Sequence, residues 1–319
     1  MKTVALFLLL GISSSLIYAH PVFQAQMENI INSSPCLKTC VDRVTATNAE
    51  LTVTRTVNYG AFFGDFESIC AIIAEARECI DKCGIESNPF KLQSTTFMCQ
   101  PEMRAAVKEY APCMQNEQPA VTAECSAQCG DVAKLNEDLK SLQSELAANP
   151  QSSKPEQFTD FVAKTNENCK MTKCFARCSR AAFNEKCGAV GDVPTGEFLK
   201  SFIDQVLEKT HKDLGSMDLV ATMAHNVPPE CDFMYTDGVM FNEREDQKAV
   251  KAIGEAIMNE QKQMLAASQQ PQGGAEMDAL QQTILRKQLE LLQKQEQLLE
   301  KEDRKLDLEI AKLKNKLNF

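Results

Sequence analysis

The stretch CIDKC at Cys79–Cys83 carries two cysteines four residues apart, and the same CxxxC spacing occurs three more times in the chain. The other pairs are Cys36/Cys40, Cys125/Cys129 and Cys174/Cys178. Residues four apart lie on the same face of an α-helix. Two antiparallel helices that each carry one such pair can be joined by two parallel disulfides. The spacing therefore predicts two helical hairpins, each stapled twice.

An antiparallel register gives each hairpin a definite pair of bridges. The expected links of the first hairpin are Cys36–Cys83 and Cys40–Cys79, and those of the second are Cys125–Cys178 and Cys129–Cys174. The spacing leaves the partners of six cysteines open. These are Cys70, Cys99, Cys113, Cys169, Cys187 and Cys231.

The cysteine count supports a disulfide framework rather than a metal or redox site. The chain has fourteen cysteines, an even number, and all of them lie between Cys36 and Cys231. Zinc ribbons and redox motifs use CxxC, which does not occur in the sequence. Seven bridges would each contribute roughly 2–4 kcal/mol. With no Trp and only four Tyr, we expect no large aromatic core.

The first residues have the pattern of a signal peptide. Lys2 precedes an unbroken apolar run, Val4–Leu10, and cleavage after Ala19 would release a mature chain that begins at His20. An N-terminal anchor is the alternative. No later stretch approaches the roughly 20 apolar residues that a transmembrane helix needs. We therefore expect residues 1–19 to be removed and the protein to be secreted, without a transmembrane segment.

Helix signals dominate the cysteine-rich region, residues 20–235. Ser34-Pro35 predicts a helix start, Asp65 and Gly84 bracket a second helix, and Thr195 begins a third that ends near Gly215. The best strand candidate is LTVTRTV at 51–57, which is too isolated to build a sheet. The predicted fold is all-α: a disulfide-stapled helical bundle followed by a long C-terminal helix.

Residues 236–275 are predicted to form a polar helix, from Glu243 to Ser268, and then a linker with the sequence QQPQGG. Residues 276–319 contain no Gly and no Pro, and they carry a leucine at every seventh position. This pattern predicts a coiled coil, or an amphipathic helix that lies on lipid or on the protein itself. The heptad positions are Leu285, Leu292, Leu299, Leu306 and Leu313.

Charge and residue content argue against several classes of function. The net charge of −10 disfavours nucleic acid and anionic membranes as partners. The three histidines, His20, His211 and His225, form no metal-ligand spacing, and no catalytic motif is present, so we expect no cofactor, no metal and no enzyme activity.

Asn32 lies in the only N-glycosylation sequon. Four methionines between Met217 and Met240 indicate core filling, or an adaptable apolar groove.

The order of the cysteines resembles that of the nematode chondroitin proteoglycan 4 domain family. The likeness rests on PCLKTC at Pro35–Cys40, the FESIC…CIDKC run at Phe66–Cys83, FMCQ at Phe97–Gln100 and NCKMTKCFARC at Asn168–Cys178. A group of nematode secreted cysteine-rich domains of unknown function has similar spacings. The resemblance implies an extracellular, helical, disulfide-bonded domain. The sequence departs from chondroitin-bearing proteins because it has no Ser-Gly dipeptide to accept the glycan.

Together these features predict a secreted, non-enzymatic structural or interaction protein. Its partners would be an extracellular protein or a matrix component, with self-association through the C-terminal helix. The alternative is a secreted carrier of small apolar ligands such as lipid. An enzyme would require a cluster of histidines or carboxylates that only the folded chain brings together.

Overall fold

The structure is a computed structural model that describes residues 34–47, 49–51, 53–84, 88–148, 155–216 and 227–267. The predicted signal peptide, the QQPQGG linker and the leucine heptads at 276–319 lie outside these residues. The described chain is mostly helical. The all-α prediction is therefore confirmed for this part of the protein.

Helices make up most of the described elements. In chain order they are α1 (Pro35–Ala46), α2 (Tyr59–Gly64), α3 (Phe66–Lys82), α4 (Gln93–Met98), α5 (Pro101–Cys129), α6 (Val132–Ala148), α7 (Pro155–Cys187), α8 (Thr195–Ser216) and α9 (Glu243–Ala267). Short 3₁₀ turns lie at Val53–Arg55, Pro89–Lys91 and Pro229–Met234. The strands β1 (Ala189–Val190) and β2 (Val193–Pro194) pair antiparallel between α7 and α8.

The structure confirms the helix ends that the local sequence signals predict. Ser34 caps α1, since its Oγ accepts a hydrogen bond of 3.4 Å from the Leu37 amide, and Pro35 is the first helical residue. Asp65 precedes α3, although its side chain makes no capping hydrogen bond. Gly84 follows α3 with a φ of +66°, the left-handed conformation that glycine adopts without steric cost.

The best strand candidate, residues 51–57, does not form a strand in its described part. Val53–Arg55 form a 3₁₀ turn, and Val53 is buried against the helices. The alternating pattern reflects single side chains that enter the core from an irregular segment. A strand also needs a neighbour to bond its backbone groups. The described residues instead place their only ribbon at β1 and β2, where Gly191 adopts a φ of +60° in the connecting turn.

The antiparallel helices α5 and α7 form the centre of the fold. Three disulfides join them along their length: Cys113–Cys187, Cys125–Cys178 and Cys129–Cys174. The helix α2 packs on α5, whereas α6 and α8 pack on α7. The helices α1 and α3 form a second antiparallel pair.

Two glycines allow neighbouring helices to approach closely. A Cβ at Gly60 of α2 would lie 2.6 Å from the Met114 carbonyl oxygen of α5. The Gly60 amide also donates a 2.6 Å hydrogen bond to Gln118 Oε1. At the start of α8, a Cβ at Gly196 would lie 1.8 Å from the Arg180 carbonyl oxygen of α7. Larger residues at these positions would push the helices apart.

Contrary to expectation, the core contains a large aromatic cluster. The Phe63 and Phe202 rings lie 5.0 Å apart in an edge-to-face arrangement, and Tyr110 stacks on Phe198 at 4.1 Å. Edge-to-face and offset stacked pairs are the favourable geometries for aromatic rings. The cluster is built from phenylalanine, of which the chain has sixteen, so the low Trp and Tyr counts were misleading. Its remaining members are Phe62, Phe66 and Phe97.

Smaller contacts complete the packing. Leu139 and Leu146 of α6 meet Phe161 of α7 in a separate apolar cluster. Met234 and Met240 are buried in the main core, which agrees with core filling, whereas Met217 and Met223 lie outside the described residues. None of the described helices is both long enough and apolar enough to cross a membrane.

Candidate functional site

The cysteines identified in the sequence are joined in the register that the CxxxC spacing predicts. Cys36 is bonded to Cys83 and Cys40 to Cys79, so that α1 and α3 carry two parallel bridges. In the second hairpin, Cys125 is bonded to Cys178 and Cys129 to Cys174. The three links that the sequence left open are Cys70–Cys99, Cys113–Cys187 and Cys169–Cys231.

One group of cysteine sulfurs has the compactness of a metal site. The Sγ atoms of Cys36, Cys40 and Cys83 lie within 4.8 Å of one another. Each of them is bonded in a disulfide, and all fourteen cysteines of the chain are paired. Only a thiolate is an effective zinc ligand, and a sulfur bonded in a disulfide is not a thiolate. The three sulfurs lie close together because the two bridges are adjacent.

Among the histidines, the sequon asparagine and the heptad leucines that the sequence singles out, only His211 is described. Its Nδ1 contacts the Asp237 carboxylate, and its Nε2 lies 3.2 Å from the Phe233 carbonyl oxygen. His211 of α8 therefore contacts the Pro229–Met234 turn and a residue that follows it. Asn32, His20, His225 and the heptad leucines lie outside the described residues.

The most unusual arrangement of charge is a buried lysine surrounded by acids. Lys173 lies on α7 and is 1 % exposed. Its Nζ lies 2.8 Å from Glu230 Oε2 and 3.2 Å from Asp232 Oδ1, and it also contacts the Asp246 carboxylate. An ammonium group has three N–H donors, and here it meets three carboxylates. We call Lys173, Arg177, Glu230, Asp232 and Asp246 the Lys173 cluster.

Arg177, one turn further along α7, extends this cluster to the backbone. Its Nη2 donates to Asp246 Oδ2 at 2.8 Å and to the Val239 carbonyl oxygen at 3.1 Å. Its Nε donates to the Met240 carbonyl oxygen at 2.9 Å. Since Asp246 lies in the first turn of α9, the two cations fix the beginning of α9 on α7.

A disulfide brings two acids of the cluster, Glu230 and Asp232, to the lysine. Cys231 lies between Glu230 and Asp232 in the Pro229–Met234 turn, and it is bonded to Cys169 of α7. Cys169 and Lys173 are four residues apart and therefore share one face of the helix. The bridge thus holds both flanking carboxylates over the ammonium group.

The protonation state of Lys173 follows from two opposing effects. Burial alone would lower the pKa of its ammonium group, but the charges of Glu230, Asp232 and Asp246 raise that pKa above its ordinary value. Lys173 is therefore held in its charged form. A protonated amine is neither a nucleophile nor a general base, so this geometry fits an electrostatic clamp between helices.

Asp232 behaves differently because its burial is less well compensated. Burial raises its pKa to about 7, the Lys173 charge opposes this rise, and the neighbouring Asp246 adds to it. Its Oδ2 is buried and receives no hydrogen bond from the described residues. The cluster has three carboxylates and two cations, so a proton on Asp232 balances its charge.

Local sequence patterns do not reveal the Lys173 cluster. Lys173 follows Cys169 by four residues, and two acids flank Cys231. These positions predict the cluster only once the two cysteines are known to be bonded. The pairing of these two cysteines was among the links that the spacing left open. The missing information was therefore a long-range contact.

Replacing the buried cation should be costly. We expect Lys173→Met to lower the free energy of unfolding by about 3–5 kcal/mol, because it leaves three buried carboxylates with one cation. The matched control is Lys248→Met, which removes an exposed lysine paired with Glu245 and should change it by less than about 0.5 kcal/mol. Urea unfolding with the disulfides intact measures both. Equal losses in the two variants would contradict the clamp.

The raised pKa of Asp232 predicts a pH dependence of stability. Between its ordinary pKa of 3.8 and the value of about 7, the folded state binds a proton that the unfolded state does not. Within this window the contribution of Asp232 to the free energy of unfolding falls as pH rises. We expect Asp232→Asn, which stays neutral, to gain on the order of 2 kcal/mol relative to wild type between about pH 5 and about pH 8. Urea unfolding at several pH values tests this, and a constant difference between the two proteins would refute it.

Comparison with known proteins places the chain in a family. A family model described as "Uncharacterized protein B0403.3" matches residues 61–265, which is more than half of the chain. This segment includes the whole Lys173 cluster. No curated protein and no solved structure matches the chain. The match does not name the chondroitin proteoglycan 4 domain, so that resemblance stays a prediction. The chain belongs to the family described as uncharacterized protein B0403.3.

Proposed function

We propose that this protein is exported and acts as a non-enzymatic structural or interaction protein, whose stapled helical body is assembled into multimers by its C-terminal helix. The observation that carries the proposal is the complete pairing of fourteen cysteines in seven disulfides. Disulfides in such number form and persist in oxidising compartments such as the extracellular space. The signal-peptide pattern at residues 1–19 supports the same location.

A structural role is supported by how the enclosed polar groups are used. Lys173 and Arg177 bind carboxylates and carbonyl oxygens from other elements, and both thereby join helices. Asp213 of α8 accepts hydrogen bonds from the amides of Gln93 and Ser94, at 3.2 and 2.9 Å, and so caps α4. Lysine, arginine and aspartate side chains act in catalysis in many proteins. Here Lys173, Arg177 and Asp213 hold the described elements together.

The C-terminal helix would supply the multivalency. The Lys173 cluster fixes α9 on the body. The leucine heptads begin at Leu285, after the QQPQGG linker. If these heptads form a coiled coil, one weak binding site on each body is repeated in the assembly. Repetition raises the apparent affinity because the second contact becomes intramolecular. An extracellular or matrix partner that presents repeated sites suits such an assembly.

The resemblance to chondroitin proteoglycan 4 domains agrees with an extracellular matrix setting. Chondroitin attachment is not part of the proposal, because the sequence contains no Ser-Gly dipeptide. The alternative function, carriage of small apolar ligands, would enclose a whole ligand in the apolar interior of the body. Five phenylalanine rings from α2, α3 and α8 contact one another in the main core, which favours the interaction protein.

The assembly can be tested by removing the heptads. We expect the full mature chain to have at least about twice the monomer mass in sedimentation equilibrium, and a chain lacking 276–319 to be monomeric. The double substitution Leu292→Lys/Leu299→Lys should also give a monomer, because it places charges in the helix seam. Gln293→Lys/Gln297→Lys adds the same charge outside the leucine positions and should leave the mass unchanged.

Sedimentation of the intact chain as a monomer would refute assembly through this helix. In that case, binding of the intact chain to lipid vesicles, lost on deletion of 276–319, would assign the tail to a lipid surface instead. Retention of the oligomer after the deletion would place the contact on the body.

A further inference from the structure

A cleft of about 300 Å³ lies where α3, the end of α4 and the start of α5 meet. One face of α3 forms its long wall, with Glu67, Ala71, Ala74 and Arg77 at helical spacing. The Cys70–Cys99 disulfide crosses between the elements that line it. This bridge preorganises the cleft, because α3 and the end of α4 cannot separate while it is intact.

The two ends of the cleft differ in charge. Glu67 and Arg77 are ten residues apart on α3, which corresponds to about 15 Å along the helix axis. At the first end, Arg104 of α5 is paired with Glu67. At the other end, no carboxylate among the described residues forms an ion pair with Arg77. Asp81, whose charge interacts with Arg77, is already bound by Lys91 at 2.7 Å and by Asn88 at 2.9 Å.

Between its charged residues the cleft is mostly apolar and open to solvent, with Thr96 as the uncharged polar residue of its lining. Ala71 and Ala74 are exposed, and Ile73 and the Cys70–Cys99 bridge lie beneath them. Small side chains on an exposed helix face leave room for a ligand's apolar part. The lining therefore combines a guanidinium that pairs with no carboxylate of the described residues, an apolar floor and the Glu67–Arg104 ion pair. Arg77 is thus a positive group in a cleft of a chain whose net charge is −10.

We propose that this cleft binds a small amphipathic carboxylate, such as a medium-chain fatty acid. The carboxylate lies on Arg77, whose planar guanidinium binds two oxygens side by side. The hydrocarbon chain runs along Ala74 and Ala71 towards the Glu67–Arg104 pair. The site lies on the body of the protein and does not depend on assembly through the C-terminal helix.

Calorimetric titration of decanoate into the full mature chain tests the proposal. We expect saturable binding that Arg77→Gln weakens by about tenfold or more, because one charge-assisted hydrogen-bonded contact is lost. Ala74→Leu should also weaken binding, since the larger side chain would fill the space along which the hydrocarbon chain runs. The control is Arg43→Gln, which removes an exposed arginine from α1, outside the cleft, and should bind decanoate like wild type.

The uncharged analogue decanol separates anion recognition from apolar adsorption. It should bind at least about tenfold more weakly than decanoate. Three results would each overturn the proposal: no saturable binding of decanoate, equal binding by wild type and Arg77→Gln, or equal binding of decanol and decanoate. Because these measurements do not depend on oligomer mass, they succeed or fail independently of the proposed assembly.

Discussion

The three disulfides between α5 and α7 are the constraint on which the remaining described structure depends. They fix two long antiparallel helices against each other at both ends of their contact. The helix α2 then packs on α5, while α6, α8 and the Pro229–Met234 turn pack on α7. Each bridge removes conformational freedom mainly from the unfolded chain, at roughly 2–4 kcal/mol. The α1–α3 hairpin repeats the same device with two bridges.

The Lys173 cluster adds a second constraint that acts on the end of the described chain. Burying the Lys173 ammonium and the acids around it has a large desolvation cost, which is offset only when the groups are paired and hydrogen-bonded. Here the ammonium of Lys173 and the guanidinium of Arg177 satisfy acceptors from two other segments. Hydrophobic packing holds helices together without strict direction. A set of charge-assisted hydrogen bonds permits only one position for the first turn of α9.

The hairpins could be predicted because their signal is local. A CxxxC pair fixes which face of a helix carries its sulfurs, and the antiparallel register then follows from geometry alone. The helix ends at Ser34 and Gly84 were equally local, since each depends on one or two residues. The strand candidate at 51–57 was misleading because an alternating pattern does not show whether a partner strand exists. The aromatic core and the Lys173 cluster could not be predicted in the same way. Phe63 and Phe202 meet across nearly half of the chain, and Lys173 meets acids that lie about 60 and 70 residues further along. The Cys169–Cys231 bridge brings that lysine and two of its acids together, and its pairing was one of several that the spacing allowed.

The central claim, that α5 and α7 are joined by three bridges, is tested most directly by a tryptic map of the unreduced protein with any free thiols blocked. Residues 109–134 form one tryptic peptide that holds three cysteines, whereas cleavage after Lys173, Arg177 and Lys186 separates their three partners. Three such bridges predict one disulfide-linked species that contains 109–134 and the peptides beginning at residues 174, 178 and 187. A peptide from the α1–α3 hairpin bonded to 109–134 would contradict the claim.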